Sequence, residues 1–279
     1  MPVALAAAAV AVLTSAALAQ TGRIIAIGDE WLLSDEAFMQ QPAQTQQLAL
    51  NIAGYFSGAT GNFLVLSNSG PAGGVSGQRG VLGSALGTLM TGSGHGWDVN
   101  PGAPLTLATL QNYDAVFLSG NLGSGAANAS VLAQYVLGGG SVLVMAGTGD
   151  MGSAQGEADA WNPFLNQFGL GFGAQWFTTT SDPAVPLVSV PTLPSSHPLG
   201  ALVNGVRWGF GQTALDLDAS DPLNQVALLG NFTGLPGPAP SGDISAVPII
   251  ATYNVLVPAP GAAALAMLTG AAALGRRRR

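Results

Sequence analysis

The sequence predicts an α/β protein whose mostly parallel sheet is covered by helices on both faces. Three observations carry that prediction. Apolar runs without alternation recur at 23–27, 63–66, 114–118 and 141–146. A strand buried on both faces reads as such a run, whereas a half-exposed strand alternates. Between the runs lie segments with helical apolar spacing, the order expected of a parallel sheet. The third observation is composition: 279 residues, 48% of them hydrophobic and 8% charged, with mean hydropathy +0.41, supply a large core and exclude a disordered chain.

Arg23-Ile24-Ile25-Ala26-Ile27 is the first strand and stops at Gly28. Residues 44–56 set Leu48, Ile52, Ala53 and Phe56 on one face of a helix that Gly58 closes. Phe63-Leu64-Val65-Leu66 is a second strand, followed by a Gly- and Ser-rich loop over 67–80 and a helix near 81–90. After the strand 114–118, a helix over 127–137 aligns Val131, Leu132, Tyr135 and Val136. Gly138-Gly139-Gly140 ends it, because Gly takes the left-handed turn cheaply. Residues 141–146 form a fully apolar strand, and a helix is expected over 157–168. Beyond Gly169, strands are expected at 174–178, 187–190, 226–229 and 249–254, and 235–242 reads as an exposed Pro-rich loop.

The two ends read as addresses. Residues 1–20 are apolar and close on Ala17-Leu18-Ala19, the small-x-small pattern that signal peptidase accepts; a buried Ala-rich helix is the alternative. At the other end, Val257-Pro258-Ala259-Pro260 halts regular structure, and 261–275 is uncharged before Arg276, Arg277, Arg278 and Arg279. A helix over those 15 residues covers roughly 22 Å, a short transmembrane helix whose Arg end stays cytoplasmic. A plain membrane anchor would show the same features. The expected organisation is a signal helix at 1–20, one α/β domain at 21–256 and the tail at 257–279.

That tail resembles the PEP-CTERM sorting signal of bacterial envelope proteins, with a Pro-x-Pro motif, an apolar helix and a basic terminus in the same order. Ala259 stands where the family usually has Glu. The resemblance implies an exosortase-type membrane enzyme as partner, transient anchoring in the inner membrane, and delivery to the cell surface or matrix.

Three phrases in the domain resemble the class I glutamine-amidotransferase-like superfamily, in particular its ThuA-like branch. They are the strand phrase from Tyr113-Asp114 to Ser119-Gly120, the helix ending in Gly138-Gly139-Gly140 with its strand, and His197-Pro198. The resemblance implies a flavodoxin-like sheet. Where an amidotransferase carries its Cys, this chain has Gly147-Thr148-Gly149-Asp150, which excludes that activity.

Absences narrow the chemistry further. With no Cys and no Lys there is no thiolate, disulfide, Schiff base or P-loop lysine. Between 21 and 256 three Arg face 14 acidic residues, a net charge of −11 that repels nucleic acid. Gly147-Thr148-Gly149-Asp150-Met151-Gly152 fits the dinucleotide-binding spacing, but 40 Gly make about one chance match the expectation. The pattern Asp216-Leu217-Asp218-Ala219-Ser220 lacks the Gly and the final Glu of a calcium loop. No cofactor or metal is expected.

In an open parallel sheet, ligands bind beyond the carboxyl ends of the strands. The residues placed there are Asp29, Glu30, Ser119, Asn121, Thr148 and Asp150. They would bind a sugar or cation, or else cap the helices that follow. Ser34 and Asp35 are candidate caps of the same kind, while His95 and His197 read as solvated turn residues. The expected function is a non-catalytic envelope protein that binds a component such as carbohydrate. The alternative is a hydrolase-like or ligand-binding enzyme using the acidic crevice.

Overall fold

The computed structural model describes residues 21–69, 78–147, 151–178, 187–237 and 242–256. The leader 1–20, the tail 257–279, and Thr148 and Asp150 lie outside the described residues. In chain order the elements are β1 (Thr21–Ile27), α1 (Asp35–Gln40), α2 (Pro42–Ser57), β2 (Asn62–Ser67), α3 (Ser84–Gly92), β3 (Gly96–Val99), α4 (Leu107–Leu110), β4 (Ala115–Ser119), α5 (Ala126–Leu137), β5 (Ser141–Met145) and α6 (Ala154–Leu165). Then come β6 (Leu170–Phe172), β7 (Phe177–Thr178), β8 (Val188–Pro191), β9 (Gly205–Trp208), β10 (Phe210–Gly211), β11 (Ala214–Asp216), β12 (Asn224–Gly230) and β13 (Val247–Leu256).

The main sheet has seven strands in the order β12-β13-β1-β5-β4-β2-β3. From β1 to β3 every pairing is parallel, while β13 joins β1, and β12 joins β13, antiparallel. The apolar runs lie in the interior of this sheet, where each strand is covered above and below. Ile25, Ile27, Phe63, Val65, Phe117 and Leu143 face α1 to α3, packed on Phe38, Leu48, Ile52 and Phe56. Their neighbours Ile24, Ala26, Leu64, Leu66, Val116 and Val142 face α5 and α6, packed on Leu132, Val136, Trp161 and Phe164. Each buried Val, Leu, Ile or Phe among them contributes about 1.5–3 kcal/mol.

The end of α5 follows the Gly rule: Gly139 has φ of 98° and the Gly140 N–H returns to the Tyr135 carbonyl. Several expectations need correction. The helix near 81–90 begins as a 3-10 turn, Gly80–Leu82, breaks at Gly83 and restarts as α3. The expected strand 174–178 is only the two-residue β7, paired with β10, and it is preceded by an unexpected short strand, β6, paired with β11. The strand near 187–190 pairs with β9 outside the main sheet. The edge strand β3 and the single-turn α4 were not expected, since Gly96-Trp97-Asp98-Val99 is mostly exposed and carries little apolar signal. No helix among the described residues is long and apolar enough to cross a membrane.

The chain passes from β2 outward to β3, then returns to β4 on the other side of β2. That reversal is the switch point of the sheet, beyond whose strand tips open α/β sheets place their ligands.

Candidate functional site at the strand tips

Ser67 and Ser119 close β2 and β4 in matching register, and their hydroxyls meet at 2.6 Å. Ser69 N–H donates to Ser67 Oγ at 3.0 Å, and Val81 N–H to Ser119 Oγ at 3.3 Å. The Ser69 hydroxyl lies 2.9 Å from Glu30 Oε1 and 3.1 Å from Ser119 Oγ. Glu30 Oε1 also accepts from Gly120 N–H at 2.6 Å. One carboxylate from the end of β1 thus reaches across β5 to hold the ends of β4 and β2. Gly120 must be glycine there: its φ is 71°, and a Cβ would lie 2.3 Å from Asn68 Oδ1.

Asp29 does similar work on the other flank. It caps the 3-10 turn Glu30–Leu33, accepting from Trp31 N–H at 2.8 Å through Oδ1, while Oδ2 accepts from Gly209 N–H at 2.5 Å. Glu157, in the first turn of α6, accepts from Gly147 N–H at the end of β5. Asp29, Glu30, Glu157, Ser67, Ser69 and Ser119 are all buried, and so is Arg79. Burial pushes the Asp29 pKa up to about 7 against its two backbone hydrogen bonds; the charge of Glu157 adds to the rise and that of Arg79 opposes it.

Of the expected residues, Glu30 and Ser119 are linked through Ser69, while Asp29 turns to the other flank and serves as a cap. Asn121 stands apart, exposed, and pairs with exposed Asn68: Asn68 Nδ2 donates to Asn121 Oδ1 at 2.6 Å, and Asn121 N–H to Asn68 Oδ1 at 2.9 Å. Sequence reasoning missed Ser67, Ser69, Arg79 and Glu157. The signal for the first lay in the repeat of an apolar run closed by Ser, Phe63 to Ser67 and Ala115 to Ser119.

Both histidines differ from expectation, because each is buried rather than solvated. His95 stacks on Phe63 with centroids 5.1 Å apart, and its Nδ1 accepts from Gly61 N–H at 3.0 Å. His197 caps the turn Pro198–Gly200 through Nδ1, and its Nε2 lies 3.3 Å from Thr252 Oγ1. Burial lowers both pKa values, because it disfavours the charged imidazolium. Neither touches the strand-tip network.

The Ser69–Glu30 contact has the form of a nucleophile and its base. Ser69 is only 1% exposed, however, and the carboxylate is shared with a backbone N–H, so a substrate has no approach. Asp218 and Ser220 of the calcium-like pattern bond to each other in an exposed turn. Among the described residues no group of three acidic or His side chains is placed to hold a metal. The chain matches no protein-family model, no curated protein and no solved structure.

Proposed function

We propose that this is an exported, non-catalytic envelope protein whose α/β domain binds an envelope component such as carbohydrate. The observation that carries the reading is the burial of Asp29, Glu30 and Glu157, each holding a backbone N–H. Carboxylates spent in this way tie strand ends together, and none of these three faces solvent. A flavodoxin-like, amidotransferase-like architecture agrees with the strand order: β3-β2-β4-β5 follow the 2-1-3-4 part of that order, with β1 in the fifth place. Export rests on Ala17-Leu18-Ala19 and the tail, through signal peptidase and then an exosortase-type enzyme acting near Pro258 and Pro260.

Three measurements test the reading. Surface-located protein from its host should begin near Gln20, and replacing Arg276 to Arg279 by Ser should block surface delivery; an intact Met1 on surface protein ends the export reading. A glycan array probed with the full chain should show saturable binding. The raised pKa of Asp29 favours the hydrolase-like alternative, in which it would carry a proton. That alternative requires Asp29→Asn to cost at least about a hundredfold in turnover of a substrate, on the order of 2.7 kcal/mol.

A further inference from the structure

The outer surface of the α1–α2–α3 layer holds a groove of about 580 Å³, within the range of small-ligand sites. Phe38 of α1 and Ala85 and Leu89 of α3 contribute its apolar part and also pack on the core. Gln46 of α2 stands against Ser84, Thr88 and Ser93 along α3. None of the lining residues is charged, in a domain whose net charge is −11.

The polar groups of this groove divide into spent and unspent. Ser84 Oγ donates to Asp35 Oδ1 at 3.2 Å, and Thr88 Oγ1 donates to the Ser84 carbonyl at 2.9 Å. Asp35 itself is occupied: its carboxylate also accepts from the N–H groups of Ala85 and Gln78, and it does not line the groove. The Gln46 amide and the Ser93 hydroxyl are exposed and make no side-chain hydrogen bond among the described residues. Together they present three donors and their acceptor oxygens beside an apolar strip.

We propose that this groove binds a neutral glycan. A sugar ring has an apolar face of C–H groups and a rim of hydroxyls that both donate and accept, which is what the strip and the unspent amide and hydroxyl answer. A phosphate or uronate finds no cation here and meets the repulsion of an acidic domain. A metal ion finds no free carboxylate. An apolar helix seated in the groove would strip water from Gln46 and Ser93 without replacing their hydrogen bonds, at a cost of about 1–3 kcal/mol for each group. The inference rests on the carbohydrate-binding reading but places the ligand on the helical layer rather than at the strand tips.

Gly92 supplies a clean test. A Cβ there would meet nothing within 4 Å, so Gly92→Trp puts its bulk into the groove without disturbing the core. The full chain is titrated by calorimetry with maltotetraose, cellotetraose, chitotetraose and, as the anionic comparator, tetragalacturonate. At least one neutral tetramer should bind saturably and more tightly than tetragalacturonate. Gly92→Trp should weaken that binding at least tenfold while Tm stays within about 3 °C. Gln46→Ala and Ser93→Ala should each weaken it several-fold. Unchanged affinity in all three variants, with loss in Asn121→Ala, would move the ligand to the strand tips, overturning this site and sparing the carbohydrate reading. Tighter binding of tetragalacturonate would overturn the neutral assignment. No binding of any tetramer, with none on the glycan array, would overturn the site and the reading together.

Discussion

Burial pushes the Asp29 pKa well above the ordinary carboxylate range. Its folded pKa is about 7 against 3.8 for the free group, so between those values the folded chain holds more protons than the unfolded one. Stability therefore falls as pH rises through this window and levels off above it. The full drop is on the order of 4 kcal/mol at about 1.4 kcal/mol per pH unit. Urea unfolding of Asp29→Asn should lack this component between pH 4 and 7, so that the difference from the parent chain changes steadily over that range. A constant difference would mean that Asp29 is ionised throughout. Gly120 makes a second prediction at this scale. Alanine there would have to hold φ of 71° and displace Asn68, so Gly120→Ala should cost more than about 2 kcal/mol. A loss below about 0.5 kcal/mol, by the same urea titration, would show that the turn can relax.

At the scale of elements, α5 shows how far apolar spacing reaches. Val131, Leu132, Tyr135 and Val136 mark its inner face in the sequence, and Leu132, Tyr135 and Val136 are buried there, while Leu137 is 56% exposed. Leu132→Ala should cost about 2–5 kcal/mol and Leu137→Ala under about 0.5, a contrast that two unfolding curves decide. Equal losses would mean that the helix packs on another face. The interior strands were legible for the same reason: burial on both faces demands an unbroken apolar run, as in Ile24 to Ile27. The segments β6, β7, β10 and β11 were not. Each is two or three residues long and is held by a partner about 32 to 46 residues away, so its extended shape is a consequence of pairing rather than of local preference. The edge strand β3 gave little signal, because one flank and much of its face meet solvent.

The whole molecule has two poles. Thr21 and Leu256 face each other in the β1–β13 pairing, so the leader and the tail leave side by side at the amino-terminal end of β1. Asp29, Glu30 and Ser119 lie at the opposite pole. A chain held by its tail, as the sorting reading proposes, then carries its strand tips away from the bilayer. The absence of Cys makes this measurable with single introduced thiols. Leu137, exposed at the end of α5, lies at the termini's pole, where Gly22 packs against the Val136 carbonyl. In vesicles, a fluorophore on Leu137→Cys should be quenched by lipid-borne quenchers while one on Asn121→Cys is not. The reverse pattern would overturn the proposed orientation.

The sequence by itself determined the α/β class, the four apolar interior runs, the acidic surface, and the exclusion of thiol, lysine and amidotransferase chemistry. Each of these depends on residue type or on spacing within one element, which hydrophobic burial and side-chain chemistry decide locally. Only the tertiary structure decided the strand order, the antiparallel β12–β13 addition, the burial of both histidines and the fate of the crevice carboxylates. Glu30 meets Gly120 across 90 residues of chain and Asp29 meets Gly209 across 180. Whether a carboxylate faces solvent or holds a backbone N–H depends on which distant segment arrives beside it. That is set by how the two helical layers and the sheet pack together, and no local pattern of residues encodes it.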